Sequence, residues 1–215
     1  MGGTSRTRQR LASKYAGDVT EAQIYDSVIM NGTSDFQLVV DSLHRHDAGW
    51  CVIGGLAVNT YTSPVYTADL DLVVVAGRLD PVLADLREAN FRIKEFEFSI
   101  NAKRRAAAGG RADSLLMVQF TKLPRYQPFI ERASLRLILG MDVLVAALPD
   151  VVQGKLWAWS DPTRRSTKRL KDKLDLMRLA ETWPAEVEPL LPEELRAEAA
   201  ANRQRNASTD EDGWG

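Results

Sequence analysis

The chain has 215 residues, of which 45% are hydrophobic and 27% are charged, and its formal net charge is -1. This composition is typical of a globular protein with a buried core and excludes a disordered, fibrous or strongly basic protein. Contact with a polyanion therefore has to come from local clusters of Lys and Arg. Residues 1–10 contain no hydrophobic signal core, and no apolar run approaches the roughly 20 residues of a membrane span. We expect a cytoplasmic protein that has no membrane segment.

Both ends of the chain are polar. Residues 1–33 form a predicted N-terminal extension, with one short helix near residues 21–30, and residues 199–215 form a predicted disordered tail that ends in an acidic run. Between them, Ser34 and Asp35 can cap a helix that runs to about His46.

The next part of the chain alternates between strands and short helices. Gly54 and Gly55 interrupt a first strand, and the strand that follows is almost entirely apolar after two acidic residues, which indicates burial within a sheet. The predicted elements are strands at 50–53, 69–75, 91–100 and 115–121 and helices at 56–61 and 80–89.

From Met141 onward the pattern is helical, with helices expected at 151–160 and 162–182 and a last short helix after Pro192. Strands first and helices later predict an α+β protein. A small mixed-sheet domain over residues 34–148 is followed by a C-terminal helical segment over residues 149–198.

One motif points to chemistry. Gly54-Gly55 is followed, 14 residues after Gly55, by Asp69-Leu70-Asp71 at the start of a strand. Residues i and i+2 of a strand share a face, so the two carboxylates converge while Leu70 points into the core. Magnesium prefers oxygen ligands and commonly joins one or two carboxylates to substrate phosphates. The glycines allow the backbone to approach those phosphates closely.

These residues resemble a known superfamily. Gly-Gly-Leu-Ala-Val-Asn and Tyr-Thr-Ala-Asp-Leu-Asp-Leu-Val-Val are similar to the signature of DNA polymerase β-like nucleotidyltransferases. Lys155-Leu156-Trp157-Ala158, followed by Lys171-Asp172-Lys173-Leu174-Asp175-Leu176, is similar to the C-terminal pattern of AbiEii-type toxins, the MenT group among them. The resemblance covers about residues 50–179.

The resemblance implies a polymerase β-like fold and transfer of a nucleotide from a nucleoside triphosphate to an acceptor. In the toxins the acceptor is often the 3′ end of tRNA, and the setting is a toxin–antitoxin or phage-defence operon with a cognate antitoxin protein. It implies catalytic roles for Asp69, Asp71, Lys155, Asp172 and Asp175, with Asp69 and Asp71 holding Mg²⁺ or Mn²⁺. The residues expected to bind substrate are Gly54, Gly55, Thr67, Arg165 and Lys168.

The helix at 162–182 fits this interpretation. At 100° per residue, Lys168, Asp172 and Asp175 fall within an arc of about 60°, whereas an apolar stripe of Leu170, Leu174 and Met177 is predicted to face the core. Lys155 could meet triphosphate oxygens as a point charge, and Asp172 or Asp175 could orient it or the acceptor. The basic cluster at 164–173 is the better candidate for contact with RNA, ahead of the loop at 103–111.

The sequence departs from the family at one position. The family supplies a third carboxylate from a later strand, where this chain has Gln119, which cannot ionise. Either Glu95 or Glu97 supplies the third acid or the protein works with two. Two alternatives to transfer onto RNA remain open: an enzyme that adenylylates a protein hydroxyl, and a degenerate nucleotidyltransferase fold that only binds a partner.

Overall fold

The computed structural model describes residues 32–105 and 114–211. The helix expected near residues 21–30 and most of the basic loop at 103–111 lie outside the described residues. Within the described ranges, no helix combines the length and the apolar character that crossing a membrane requires.

Seven α-helices and seven strands make up the described part of the chain. The strands are β1 (Trp50–Ile53), β2 (Asp69–Val74), β3 (Phe91–Glu95), β4 (Ser99–Arg104), β5 (Met117–Thr121), β6 (Ser134–Ile138) and β7 (Met141–Val145). The helices are α1 (Gly32–Arg45), α2 (Gly54–Asn59), α3 (Leu79–Glu88), α4 (Leu148–Ser160), α5 (Ser166–Thr182), α6 (Pro184–Val187) and α7 (Glu193–Glu211). Two 3₁₀ helices, Pro124–Phe129 and Glu188–Leu190, complete the set.

The strands form one mixed sheet in the order β3-β4-β5-β2-β1-β7-β6. β2 runs parallel to β5 and β1 runs parallel to β7, while the other neighbouring pairs are antiparallel. The prediction of an α+β protein with a small mixed sheet and a helical C-terminal segment is confirmed. β2 lies at the centre of the sheet, so residues at its N-terminal end have strands on both sides.

Two hairpins of the structure contradict the prediction from the sequence. The region after Met141 begins with β7, which pairs with β6 through a two-residue turn at Leu139 and Gly140, whose φ angles are 52° and 82°. Both angles are positive, as the tight turn of a β-hairpin requires. The single strand expected at 91–100 is likewise two strands, since residues 96–98 turn the chain between β3 and β4.

The prediction for the faces of α5 was also wrong. Leu170 and Leu174 are 64% and 58% exposed, whereas Asp172 and Asp175 are buried together with Met177. The acidic residues can occupy the buried face because a buried lysine on α4 neutralises them, so charge pairing outweighs the apolar pattern.

The chain past residue 199 differs from the predicted tail, because α7 continues to Glu211. The alanine-rich stretch 197–201 has a high helix propensity, and Leu195 and Ala199 bury the helix against its neighbours.

Candidate functional site

Asp69 and Asp71 lie at the N-terminal end of β2 and are partly accessible, whereas Leu70 and Leu72 are fully buried. The alternation expected of a half-buried strand is therefore present. In the sheet register, Asp71 stands between Ile53 of β1 and Gln119 of β5. The two carboxylates thus share the face of the sheet that carries Gln119.

Gly54 packs directly against Asp71. Its φ is 69°, and a Cβ added there would lie 2.0 Å from Asp71 Oδ2, so only glycine fits beside this carboxylate. A Cβ added at Gly55 would lie 3.3 Å from the hydroxyl oxygen of Thr67. Thr67 is buried, and its hydroxyl accepts a hydrogen bond from the backbone N–H of Asp69 at 3.4 Å. These five residues fix the loop in which β2 begins.

The electrostatics of the carboxylate pair favour a cation. Burial, together with the nearby charge of Asp69, raises the pKa of Asp71 to about 6, although Lys155, Arg164 and Lys171 act in the opposite direction. Burial and the repulsion between the two carboxylates both disfavour the ionised pair, and a bound cation would offset both effects. Paired hard oxygen donors fit Mg²⁺, which accepts two protein carboxylates and takes its other ligands from water or phosphate.

Lys155, Asp172 and Asp175 come together in a buried ion-pair network between α4 and α5. Lys155 Nζ lies 3.0 Å from Asp172 Oδ1 and 2.6 Å from Asp175 Oδ2, and all three side chains are less than a tenth exposed. Burial disfavours the ammonium group, but the two aspartates outweigh it and raise the pKa of Lys155. Arg164 Nε binds Asp172 Oδ2 at 2.8 Å, and an Arg178 Nη atom binds Asp175 Oδ1 at 2.9 Å.

Arg178 also joins α5 to the loop that precedes β2. It donates hydrogen bonds to the hydroxyl of Thr62 at 2.7 Å and to the carbonyl of Ser63. The helical segment is thereby connected to the loop that leads to Asp69.

The two basic residues predicted to bind substrate differ in position. Lys168 Nζ lies 3.8 Å from Asp69 Oδ2, so this lysine stands next to the carboxylate pair. Arg165, the residue before α5, is exposed and does not line the cleft described below.

The structure removes both alternatives for a third acid. Glu95 lies on the edge strand β3, two strands away from β5, and its exposed carboxylate binds Lys122 Nζ at 2.9 Å. Glu97 is exposed in the turn that follows β3. Neither lines the cleft beside Asp71, and in residues 32–105 and 114–211 no three residues of the types His, Cys, Asp and Glu form a metal-binding group. Gln119 therefore occupies the position beside Asp71 without an acidic substitute.

A cleft of about 270 Å³ opens beside Asp71 and Gln119. Its wall contains an aromatic cluster: the rings of Trp157 and Phe129 stack at 5.8 Å between centroids, and Tyr126 meets both edge-on. The other notable lining residues are Phe98, Arg125 and Arg164. Arg164 could have been singled out, because it is the member of the basic cluster that is closest in sequence to the end of α4.

Comparison with known proteins agrees with this geometry. Residues 37–213 match the model of the family described as "Nucleotidyl transferase AbiEii toxin, Type IV TA system". No curated protein matches the chain by sequence.

Two solved structures share the fold. The solution structure of the antibiotic-resistance factor ANT(2″)-Ia has a TM-score of 0.53 and 16% identity, over 85% of this chain and 97% of that chain. The crystal structure of ANT(2″)-Ia in complex with adenylyl-2″-tobramycin has a TM-score of 0.51 and 14% identity, over 79% and 97% of the respective chains. Nucleotidyltransferases of this fold generally use divalent metals. Because the family model covers most of its length, the chain belongs to the AbiEii family of toxins and is a nucleotidyltransferase with a toxin–antitoxin context.

Proposed function

We propose that this protein transfers a nucleoside monophosphate from a nucleoside triphosphate to the 3′ hydroxyl of an RNA, with tRNA as the first candidate, and that a cognate antitoxin protein opposes this activity. The observation that carries the proposal is the pair Asp69 and Asp71 on one face of β2, beside an open cleft and next to Lys168. We assign both aspartates to Mg²⁺, or Mn²⁺ in its place. The bound ion would neutralise phosphate charge that develops during transfer.

The reaction forms one bond and breaks one. The oxygen of the acceptor hydroxyl bonds to the α-phosphorus, the bond from that phosphorus to the bridging oxygen breaks, and pyrophosphate leaves with the electron pair. The hydroxyl proton passes to water, because Gln119 has no basic atom in the position where a carboxylate would accept it. Gly54 and Gly55 let the backbone approach the triphosphate, and Thr67 holds the start of β2 in place.

The C-terminal helices have a positioning role in this proposal. The Lys155 ammonium group already forms ion pairs with Asp172 and Asp175, so it acts on Asp69 and Asp71 only through its charge at a distance. Asp172 accepts a hydrogen bond from Arg164 Nε and thereby fixes this arginine near Asp71, on whose carboxylate its charge acts. Arg164 and Lys168 supply the positive charge that a triphosphate needs, and Arg165 extends it towards the RNA backbone.

The amide at Gln119 is the one observation that favours a second function. An enzyme without a carboxylate at this position transfers slowly or serves only to bind a nucleotide or a partner.

Transfer to a protein hydroxyl is a separate alternative. It uses the same two aspartates and differs from transfer to RNA only in the acceptor.

One experiment separates these functions. Purified protein is incubated with Mg²⁺, each labelled nucleoside triphosphate in turn, and either total tRNA or a protein lysate freed of nucleic acid. We expect label in the tRNA band, and we expect it to vanish in Asp69→Ala and Asp71→Ala, whereas Asp142→Ala, which removes an exposed aspartate from β7, leaves it unchanged. Label on protein bands would establish protein modification instead. No label with any nucleotide or acceptor would establish the binding-only function.

A further inference from the structure

We infer that the cleft beside Asp71 is the acceptor subsite and that Phe98 forms the surface on which a nucleobase of the acceptor stacks. The inference rests on the proposed transfer to RNA and adds where the acceptor lies and which side chain holds it. Nothing in the metal motif itself decides this location.

The position of the cleft provides the first argument. An attacking hydroxyl has to come within about 3 to 3.5 Å of the phosphorus before it can react. The acceptor must therefore occupy open space that touches the carboxylate pair, and the cleft is bounded by Asp71, Gln119 and Gly54. Its volume is limited, because about 270 Å³ accommodates one nucleotide and not a folded domain.

The rigidity of one wall provides the second argument. Trp157 stacks with Phe129 at an interplanar angle of 8°, and the central carbon of the Arg125 guanidinium lies 4.6 Å from its ring centroid. Tyr126 meets the Trp157 ring edge-on at 5.2 Å. These contacts hold the Trp157 ring in place, so the wall is preformed and presents an arginine next to the indole.

Phe98 also lines the cleft, and its exposure provides the third argument. Phe98 is 56% exposed in the turn between β3 and β4, although it lines the cleft. A phenyl ring exposed to this extent contributes little to the core, and it borders a space lined by polar groups and by charged groups of both signs. Nucleobases stack on such rings with little dependence on sequence.

The charges that line the cleft select the class of acceptor. Of the acids that line the cleft besides Asp71, Asp150 is engaged by Arg132 at 2.6 Å, Asp172 by Lys155 and Arg164, and Asp161 by the backbone N–H and the hydroxyl of Thr163. Arg125, by contrast, forms no ion pair with a carboxylate in the part of the chain that the structure describes. A planar ring with a phosphate attached satisfies both Phe98 and Arg125, as the end of a nucleic acid does and a polycationic acceptor does not.

The same turn contains a matched control. Phe96 is 51% exposed, two residues before Phe98, and does not line the cleft. Replacing either ring by alanine removes an exposed side chain, so neither change should alter folding appreciably. A difference between the two variants therefore reports on the cleft.

The test measures binding of a 5′-fluorescein RNA hexamer by fluorescence anisotropy, with Mg²⁺ present and nucleoside triphosphate omitted so that no transfer occurs. We expect Phe98→Ala to weaken binding by about 5- to 150-fold, which is the range for loss of one stacked base, and Phe96→Ala to leave it unchanged. A second hexamer lacks the base of its 3′-terminal residue. With this hexamer, wild type and Phe98→Ala should bind equally, because the partner of the ring is gone.

Suppose that wild type labels tRNA, so that the proposed function holds. The inference is then overturned if Phe98→Ala binds the complete hexamer as tightly as wild type. It is also overturned if Phe96→Ala and Phe98→Ala lose equal affinity for that hexamer. If wild type labels proteins and not tRNA, the proposed RNA acceptor fails, and the inference fails with it.

Discussion

Replacement of the buried Lys155 should destabilise the protein strongly. We choose Lys155→Met, because methionine keeps most of the side-chain length and removes only the ammonium group. Without that charge, Asp172 and Asp175 remain buried with one arginine each. Removing one partner of a buried ion pair typically costs about 3–5 kcal/mol, since the remaining charge has lost its compensation.

For a protein of this size the loss corresponds to a fall in melting temperature of roughly 6 to 20 °C. The contribution of the Lys155 ammonium group to the free energy of unfolding does not change with pH near neutrality. The folded-state pKa of Lys155 is raised, so its stabilisation is complete below the pKa of an unfolded lysine, about 10.4, and disappears as the pH rises through the folded-state value.

The assay is urea unfolding followed by circular dichroism at pH 7, which yields the midpoint and the slope together. Lys122→Met is the control, because Lys122 forms an exposed ion pair with Glu95 and its loss should cost about 0–1 kcal/mol. The double variant Lys155→Met/Asp175→Asn should be more stable than Lys155→Met, since it removes the surplus carboxylate. A loss below about 1 kcal/mol for the single variant, or a double variant that is less stable than the single, would refute the reasoning.

Three further predictions concern the carboxylate pair. Because the folded-state pKa of Asp71 is about 6, above its unfolded value, protonation of Asp71 should stabilise the metal-free protein as the pH falls from 7 towards 4. The stability of wild type relative to Asp71→Asn should rise by up to about 3 kcal/mol over this range, and Asp71→Asn should abolish transfer; unfolding titrations of both proteins at several pH values in chelator check this. Gln119→Glu should raise the transfer rate, because a third carboxylate completes the ligand set of the metal ion. The variant's stability should depend on magnesium, because the three carboxylates repel one another when the ion is absent; equal unfolding curves of the variant with chelator and with magnesium would contradict this. Gly54→Ala should abolish transfer, because the added Cβ collides with Asp71 Oδ2. Gly77→Ala is the control: Gly77 has a φ of 82° and open space around it, so the substitution should lower stability and leave transfer unchanged. Initial rates normalised to the amount of folded protein distinguish the two variants.

The centre of the sheet could be predicted from the sequence because its pattern is local. Asp69 and Asp71 alternate with Leu70 and Leu72, and two adjacent glycines interrupt the strand before them. Such signals depend only on the period of a strand and on backbone geometry, and they identified β1, α2 and β2.

The features that the sequence did not predict depend on contacts between distant parts of the chain. The stripe of α5 looked apolar at Leu170 and Leu174, yet the buried face is acidic because Lys155, on another helix, compensates it. β6 was missed for a related reason: its alternate residues Leu135 and Leu137 are exposed, so hydrophobicity does not mark its inner face. The aromatic cluster around Trp157 likewise joins residues that are about thirty positions apart in sequence.

The hydrogen bonds of Arg178 have a consequence for the synthesis of a toxic enzyme. They connect α5 to Thr62 and Ser63, more than a hundred residues earlier in the chain, and α5 also supplies both aspartates that hold Lys155. A nascent chain is made from its N-terminus, and domains fold as units. Asp69 and Asp71 therefore leave the ribosome long before the helix that secures their loop, and an unfinished chain that stops before α5 lacks the complete site. The proposed transfer activity should therefore require that translation has passed α5.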